Sequence, residues 1–210
     1  MLTFYYTPDT IALATHIALE TVGAEYRAVR VDFSINGQRS AAYLKINPKG
    51  RVPALVTDHG ILTETPAMLL YICQSFPEAN LAPLNDAFAQ AQINSFNSYL
   101  CSTVHVAHAH RMRGYRWVDA SNSNAIAAMQ SHAPRSVGEC FALMECEMFK
   151  GPWVMGVQYT ISDMYLFTLA QWCEADGVDI SQYPKIAQHR KVMSGIAAVK
   201  RAISAESAAM

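Results

Sequence analysis

Strand-like patterning is confined to the first 75 residues of this chain, and that limit constrains its fold more than any other feature. Within it, short runs rich in aromatic and β-branched residues alternate with helical patterns. "LTFYY" at 2–6, "TIALATHIALETVG" at 10–23 and "YRAVRVD" at 26–32 make a βαβ opening. A second helical piece around "QRSAAYLKI" leads to "RVPALVTDHGILTE", two short strands joined at Asp58, His59 and Gly60, which carry hairpin-turn chemistry. A third helix starts at Thr65. The order β-α-β-α-β-β-α implies an α/β domain, a small mixed sheet covered by helices. Through "SFPEANLAPLNDA" (75–87), Pro77 and Pro83 interrupt helical periodicity. The rest reads as helices near 87–113, 122–148, 161–175 and 184–204, so the expected division is a first domain over 1–76, a linker over 77–86 and an all-helical domain over 87–210.

The composition supports a real core and narrows the partners. Apolar residues are 51% of 210, whereas charged residues are only 16% and the net charge is −1, which excludes a polyanion such as nucleic acid as the main partner. The five cysteines (Cys73, Cys101, Cys140, Cys146, Cys173) are odd in number and scattered among apolar neighbours, as reduced buried thiols are. "MLTFYYTPDT" lacks the basic and apolar regions of a signal peptide, and no run approaches the roughly 18 apolar residues of a membrane span. The expected setting is soluble and cytoplasmic.

In "KGRVPAL" (49–55), Pro53 stands where an apolar strand begins, although proline cannot donate to a β-ladder. One reading is a strand-start or edge proline. The other is a cis Val52-Pro53 bond that leaves the Val52 N–H and C=O facing a cleft, where an extended peptide can add as a strand. Nearby, "LTETPAML" (62–69) places Thr65 as an N-cap and Pro66 at the first helical position. A helix start holds a carboxylate, and Glu64 beside it suits an ammonium. Glutathione, with both groups at one end and a peptide-like middle, satisfies Glu64, the Thr65 helix start and Val52 together.

With "YYTP", "NPKGRVPAL" and "LTETPAM" in this order and spacing, the chain resembles the glutathione transferase family, in particular its bacterial beta- and theta-like members. The resemblance covers nearly the whole chain and implies a thioredoxin-like first domain, an all-helical second one, a homodimer, and glutathione as co-substrate with no metal. It further implies that Val52 pairs with the cysteinyl part through its backbone, that Pro53 is cis, that Glu64 and Thr65 hold the γ-glutamyl end, and that Arg51 reaches the glycyl carboxylate. "QYTISDMYLF" (158–167) is also family-like: Thr160 and Asp163 form a capping box, with Tyr159 and Met164 as a hydrophobic staple.

The family's chemistry needs glutathione as a thiolate, favoured by a hydroxyl donor or a helix N-terminus. Its subgroups supply a Tyr two places before the proline of the first motif, a Ser two places after it, or a Cys three places after it. Here those positions are Tyr6, Thr10 and Ile11. Ile11 closes the cysteine route. Thr10, at the expected start of helix 1, is the first choice, against a role in capping alone. Tyr6 is the alternative, against a core role, and Asp9, if turned inward, would repel a thiolate.

In "VHVAHAHRMRGYRW" (104–117), His105 and His108 share a helical face while His110 turns away, which disfavours a three-ligand metal site. His105 and His108 are expected to form a polar wall of the substrate pocket, or else to pack helices. Arg111, Arg113 and Arg116 are either solvated or serve anionic co-substrates. The functional expectation is an enzyme that joins glutathione to small apolar electrophiles, or uses it to reduce disulfides or peroxides, as in detoxification. The rival expectation is a catalytically weak glutathione-binding module.

Overall fold

The first strand, β1 (Leu2–Tyr6), takes an inner place in a four-stranded sheet of order β2-β1-β3-β4. Its aromatic run suits a pleated surface covered on both sides, and Phe4 is fully buried. α1 (Ala12–Val22) follows, and β2 (Tyr26–Arg30) returns parallel to β1 with Ala28 opposite Phe4, a pairing that needs such a crossover. α1 is buried continuously from Ala12 to Leu19 and ends at Gly23, whose left-handed φ of 66° lets its N–H reach the Leu19 carbonyl. The piece around "QRSAAYLKI" is a 3-10 turn (Gly37–Arg39) followed by α2 (Ala41–Leu44), whose Tyr43 N–H is capped by the Ser40 hydroxyl at 3.2 Å. β3 (Ala54–Thr57) lies antiparallel to β1, β4 (Gly60–Thr63) lies antiparallel to β3, and α3 (Thr65–Ser75) completes the expected order.

The remaining elements are helical. α4 (Ala87–Tyr99) and α5 (His105–Arg113) are joined by a π-helical turn over Leu100–Val104, and α6 (Ser123–Leu143) runs into another over Met144–Met148. α7 (Ile161–Ala170) is buried along its whole length. The single helix expected over 184–204 is two, α8 (Pro184–Gly195) and α9 (Ala197–Ala208), separated at Ile196.

This computed structural model describes residues 1–208, in two compact units. The first is Met1–Gln90 together with the described residues from Val192 onward, and the second is Ala91–Lys191. The helical stretch expected as one block over 87–210 therefore gives its last helix to the sheet-bearing unit. Side chains explain why: His16 Nδ1 on α1 meets Glu206 Oε1 on α9 at 2.9 Å, and Arg201 Nε donates to Glu20 at 2.6 Å.

Within the second unit, two carboxylates tie helices together. Asp163 accepts from the N–H of Thr160 (2.7 Å), the hydroxyl of Thr160 (3.1 Å), the N–H of Val154 (2.8 Å) and His189 Nε2 (3.0 Å), so the Thr160–Asp163 box also anchors a loop and α8. Glu145 accepts the Lys185 and Ile186 N–H groups at 3.0 and 3.1 Å, serving the unpaired donors at the start of α8. Among the described residues no helix is long and apolar enough to cross a membrane.

Candidate functional site

Register gathers the predicted site segments at one end of the sheet. Tyr5, near the end of β1, lies opposite Ala54, the first residue of β3, and Ala54 lies opposite Thr63, the last residue of β4. Residues 7–11, 51–53 and 64–66 therefore leave or enter the sheet at the same end, while the Asp58–His59 turn sits at the other.

The segment before β3 is held from below. Asn47, only 1% exposed, donates its Nδ2 to the Arg51 carbonyl at 2.6 Å and accepts the Lys49 N–H at 3.2 Å. The Tyr43 hydroxyl donates to the same carbonyl at 2.8 Å. Gly50 adopts φ 60°, where a Cβ would press on the Arg39 side chain at 2.8 Å. The Val52-Pro53 peptide is cis and Pro53 is buried. Among the described residues, the Val52 N–H and C=O make no hydrogen bond. The Arg51 side chain is exposed.

At the head of α3 the cap falls on Glu64, one residue before the expected Thr65, and Pro66 is the second helical residue. No side chain caps this end, so the first-turn N–H groups of Thr65 and Ala67 stay available. Glu64 has φ 71° and ψ 118°, a conformation that L residues rarely adopt. Its carboxylate is 55% exposed and accepts from Lys49 Nζ at 2.5 Å, and that ammonium also donates to Thr63 Oγ1 at 2.6 Å. Sequence reasoning passed over Lys49, Asn47 and Tyr43. The Asn-Pro-Lys-Gly run was a signal for Asn47 alone, because an asparagine that opens a turn pairs with the turn's own backbone, whereas Tyr43 lies outside the run and the Lys49 side chain reaches away to Thr63 and Glu64.

Around the end of β1, the Thr10 hydroxyl donates to the Thr7 carbonyl at 2.7 Å and accepts the Ala12 N–H at 3.3 Å. Ile11 is buried and Asp9 is exposed, held at φ 57°. Tyr6, 4% exposed, stacks on Phe4 at 5.8 Å and lies 5.4 Å from the His16 ring. Burial, reinforced by the Glu206 charge, raises the Tyr6 phenol above its ordinary range, so it remains protonated at neutral pH.

In the second unit, His108 is buried, with Nδ1 on the Asp176 carboxylate, and Arg111 Nε donates to the same carboxylate. Its ring meets Trp172 edge-on at 5.4 Å. His105 is half-buried, with its ring 5.3 Å from Trp172. His110 turns to Trp117 at 4.6 Å.

Comparison with known proteins adds the following. Residues 1–74 match the family model described as glutathione S-transferase, N-terminal domain. The glutathione S-transferase GstA of Escherichia coli O157:H7 is 30% identical over 205 residues, covering 96% of this chain and 97% of the relative. Among solved structures, a glutathione transferase homolog from Sulfitobacter with bound glutathione is 43% identical with a TM-score of 0.92, covering 96% of each chain. A sphingomonad glutathione S-transferase complexed with glutathione is 31% identical with a TM-score of 0.84, covering 98% of each.

Proposed function

The chain belongs to the glutathione S-transferase family, with a thioredoxin-like first domain followed by a helical one, and on that footing we propose that it binds glutathione and uses its thiolate as a nucleophile. The observation that carries this reading is the convergence at one sheet end of the unpaired Val52 backbone, the Glu64 carboxylate and the open start of α3. Val52 pairs with the cysteinyl segment, Glu64 takes the α-ammonium, and the Thr65 and Ala67 N–H groups take the α-carboxylate. Arg51, exposed on the same segment, takes the glycyl carboxylate.

Thr10 is the assigned thiolate donor, supported by its position just ahead of α1, where first-turn amides add positive potential. With the exposed Asp9 in view of solvent, its charge opposes the thiolate less than an inward carboxylate would. Buried Ile11 brings no sulfur, so no mixed disulfide forms at that position. The thiolate attacks an electrophilic carbon, forming a C–S bond as a leaving group departs, or two glutathiones become the disulfide as a peroxide or disulfide is reduced. His105 offers the electrophile a polar contact in the helical domain, while His108, its Nδ1 engaged by Asp176, holds that helix in place. The working state is a cytoplasmic homodimer.

Calorimetry tests the reading. Glutathione binds the wild type, and Glu64→Ala weakens it by ~1.5–3 kcal/mol, the usual worth of a hydrogen bond to a charged group. Unchanged affinity removes Glu64 from the site. One observation favours the rival, a binding module with little turnover: the Thr10 hydroxyl already has both a donor and an acceptor partner in its own turn. Binding without turnover across aryl halide, disulfide and peroxide substrates selects that rival.

A further inference from the structure

The Lys49–Glu64 ion pair has a geometry that a solvated surface pair does not need. Lys49 is anchored at its root, since its N–H is fixed on the buried Asn47 side chain. At its tip, Nζ spans the Thr63 hydroxyl and the Glu64 carboxylate. An ammonium has three N–H donors, of which these contacts use two. Glu64 in turn offers a second carboxylate oxygen that no described residue occupies, and it is held in a strained left-handed conformation of the kind retained at ligand sites. One spare ammonium proton and one spare carboxylate oxygen thus lie side by side at the start of α3.

Resting on the glutathione reading above, we propose that Lys49 is a specificity-determining residue that binds the α-carboxylate of the γ-glutamyl head while Glu64 binds its α-ammonium. The two charges of that head sit on one carbon, opposite in sign and order to the protein pair, so ligand and protein complete a ring of four alternating charges. Lys49 remains on Glu64 when the ligand arrives. The site therefore selects free α-amino acid heads and rejects those whose carboxylate is masked.

The test is a calorimetric cycle with two ligands, glutathione and its analogue in which the γ-glutamyl α-carboxylate is an amide, against wild type, Lys49→Met and Lys49→Arg. Lys49→Met is expected to weaken glutathione about fivefold, the upper range for a half-exposed pair, and to leave the amide unchanged. Lys49→Arg retains most of the glutathione affinity. Equal loss for both ligands assigns Lys49 to loop support and overturns the proposal, as does no loss. A gain in affinity shows that Lys49 only competes for Glu64 and also overturns it. Thermal melts verify folding, and Lys49→Gln replaces Lys49→Met should the latter not fold. Wild type failing to bind glutathione refutes instead the family-based reading.

Discussion

Thr10 is a residue with two possible tasks and one hydroxyl. Its proton lies on the Thr7 carbonyl and its lone pair on the Ala12 N–H, so donating to a thiolate means giving up the Thr7 bond, a net cost of about 1 kcal/mol. That cost is recovered only where negative charge sits on sulfur, so Thr10→Val should lower kcat/KM by roughly 10- to 100-fold and change glutathione affinity by less than about twofold. Steady-state kinetics beside calorimetry checks this, and equal activity moves the role to Tyr6 or to the backbone amides. Tyr6 is a buried phenol kept neutral by desolvation and by Glu206, a proton donor of high pKa. Placement at this scale was legible to within a residue: "YYTP" put the first cap at Thr10, whereas it falls on Ile11, and "LTETPAM" put the second at Thr65, whereas it falls on Glu64. The partners of those side chains were not, because Lys49 reaches Glu64 across 15 residues of chain and no local pattern encodes that approach.

Helices α1 and α9 share a buried polar joint. Glu206 touches His16 Nδ1 at 2.9 Å, and the His16 ring is enclosed by Phe4, Tyr6 and Tyr26 at 5.2, 5.4 and 5.7 Å. Burial pushes the Glu206 carboxyl up, the His16 contact pulls it part of the way back, and Asp9 pushes it up further. The net folded value lies above the ordinary 4.5, so across the window that starts at 4.5 and runs upward the folded chain holds more proton than the unfolded one. Stability from this group therefore falls as pH rises through that window. Glu206→Gln, which cannot titrate, should remove this slope. Urea midpoints at several pH values should show wild type losing ground to the variant as pH rises, by about 1.4 kcal/mol for each unit the fold raises the carboxyl. A constant difference would mean that Glu206 titrates alike in both states. Strand and helix types were readable from periodicity, and β1 matches its run end for end. The π turns at 100–104 and 144–148 were not, since each is a single-residue slip of the apolar phase within five residues, too short a stretch for a periodic pattern to register.

At the scale of the whole molecule the chain leaves its first unit near Gln90 and re-enters it at Val192, so a linear reading of composition places the last helix with its sequence neighbours rather than its packing partners. The reason is that α9 reads as one more amphipathic helix, and nothing in its period says which face it will meet. Its buried side chains, Ala198, Val199, Ala202 and Glu206, and the Arg201–Glu20 pair belong to the sheet-bearing unit. A chain ended at Gly195 leaves α8 whole and removes α9 alone. It uncovers α1 and strands His16 without its carboxylate, which together should cost the first unit about 3 kcal/mol or more. All three tryptophans, Trp117, Trp153 and Trp172, lie in the second unit. Tryptophan fluorescence in urea should therefore keep nearly its full-length transition, while glutathione binding is lost at much lower urea. Were α9 a part of the helical block, the order would reverse: the tryptophan transition would drop first and glutathione binding would persist, because the first unit would have lost nothing it packs against.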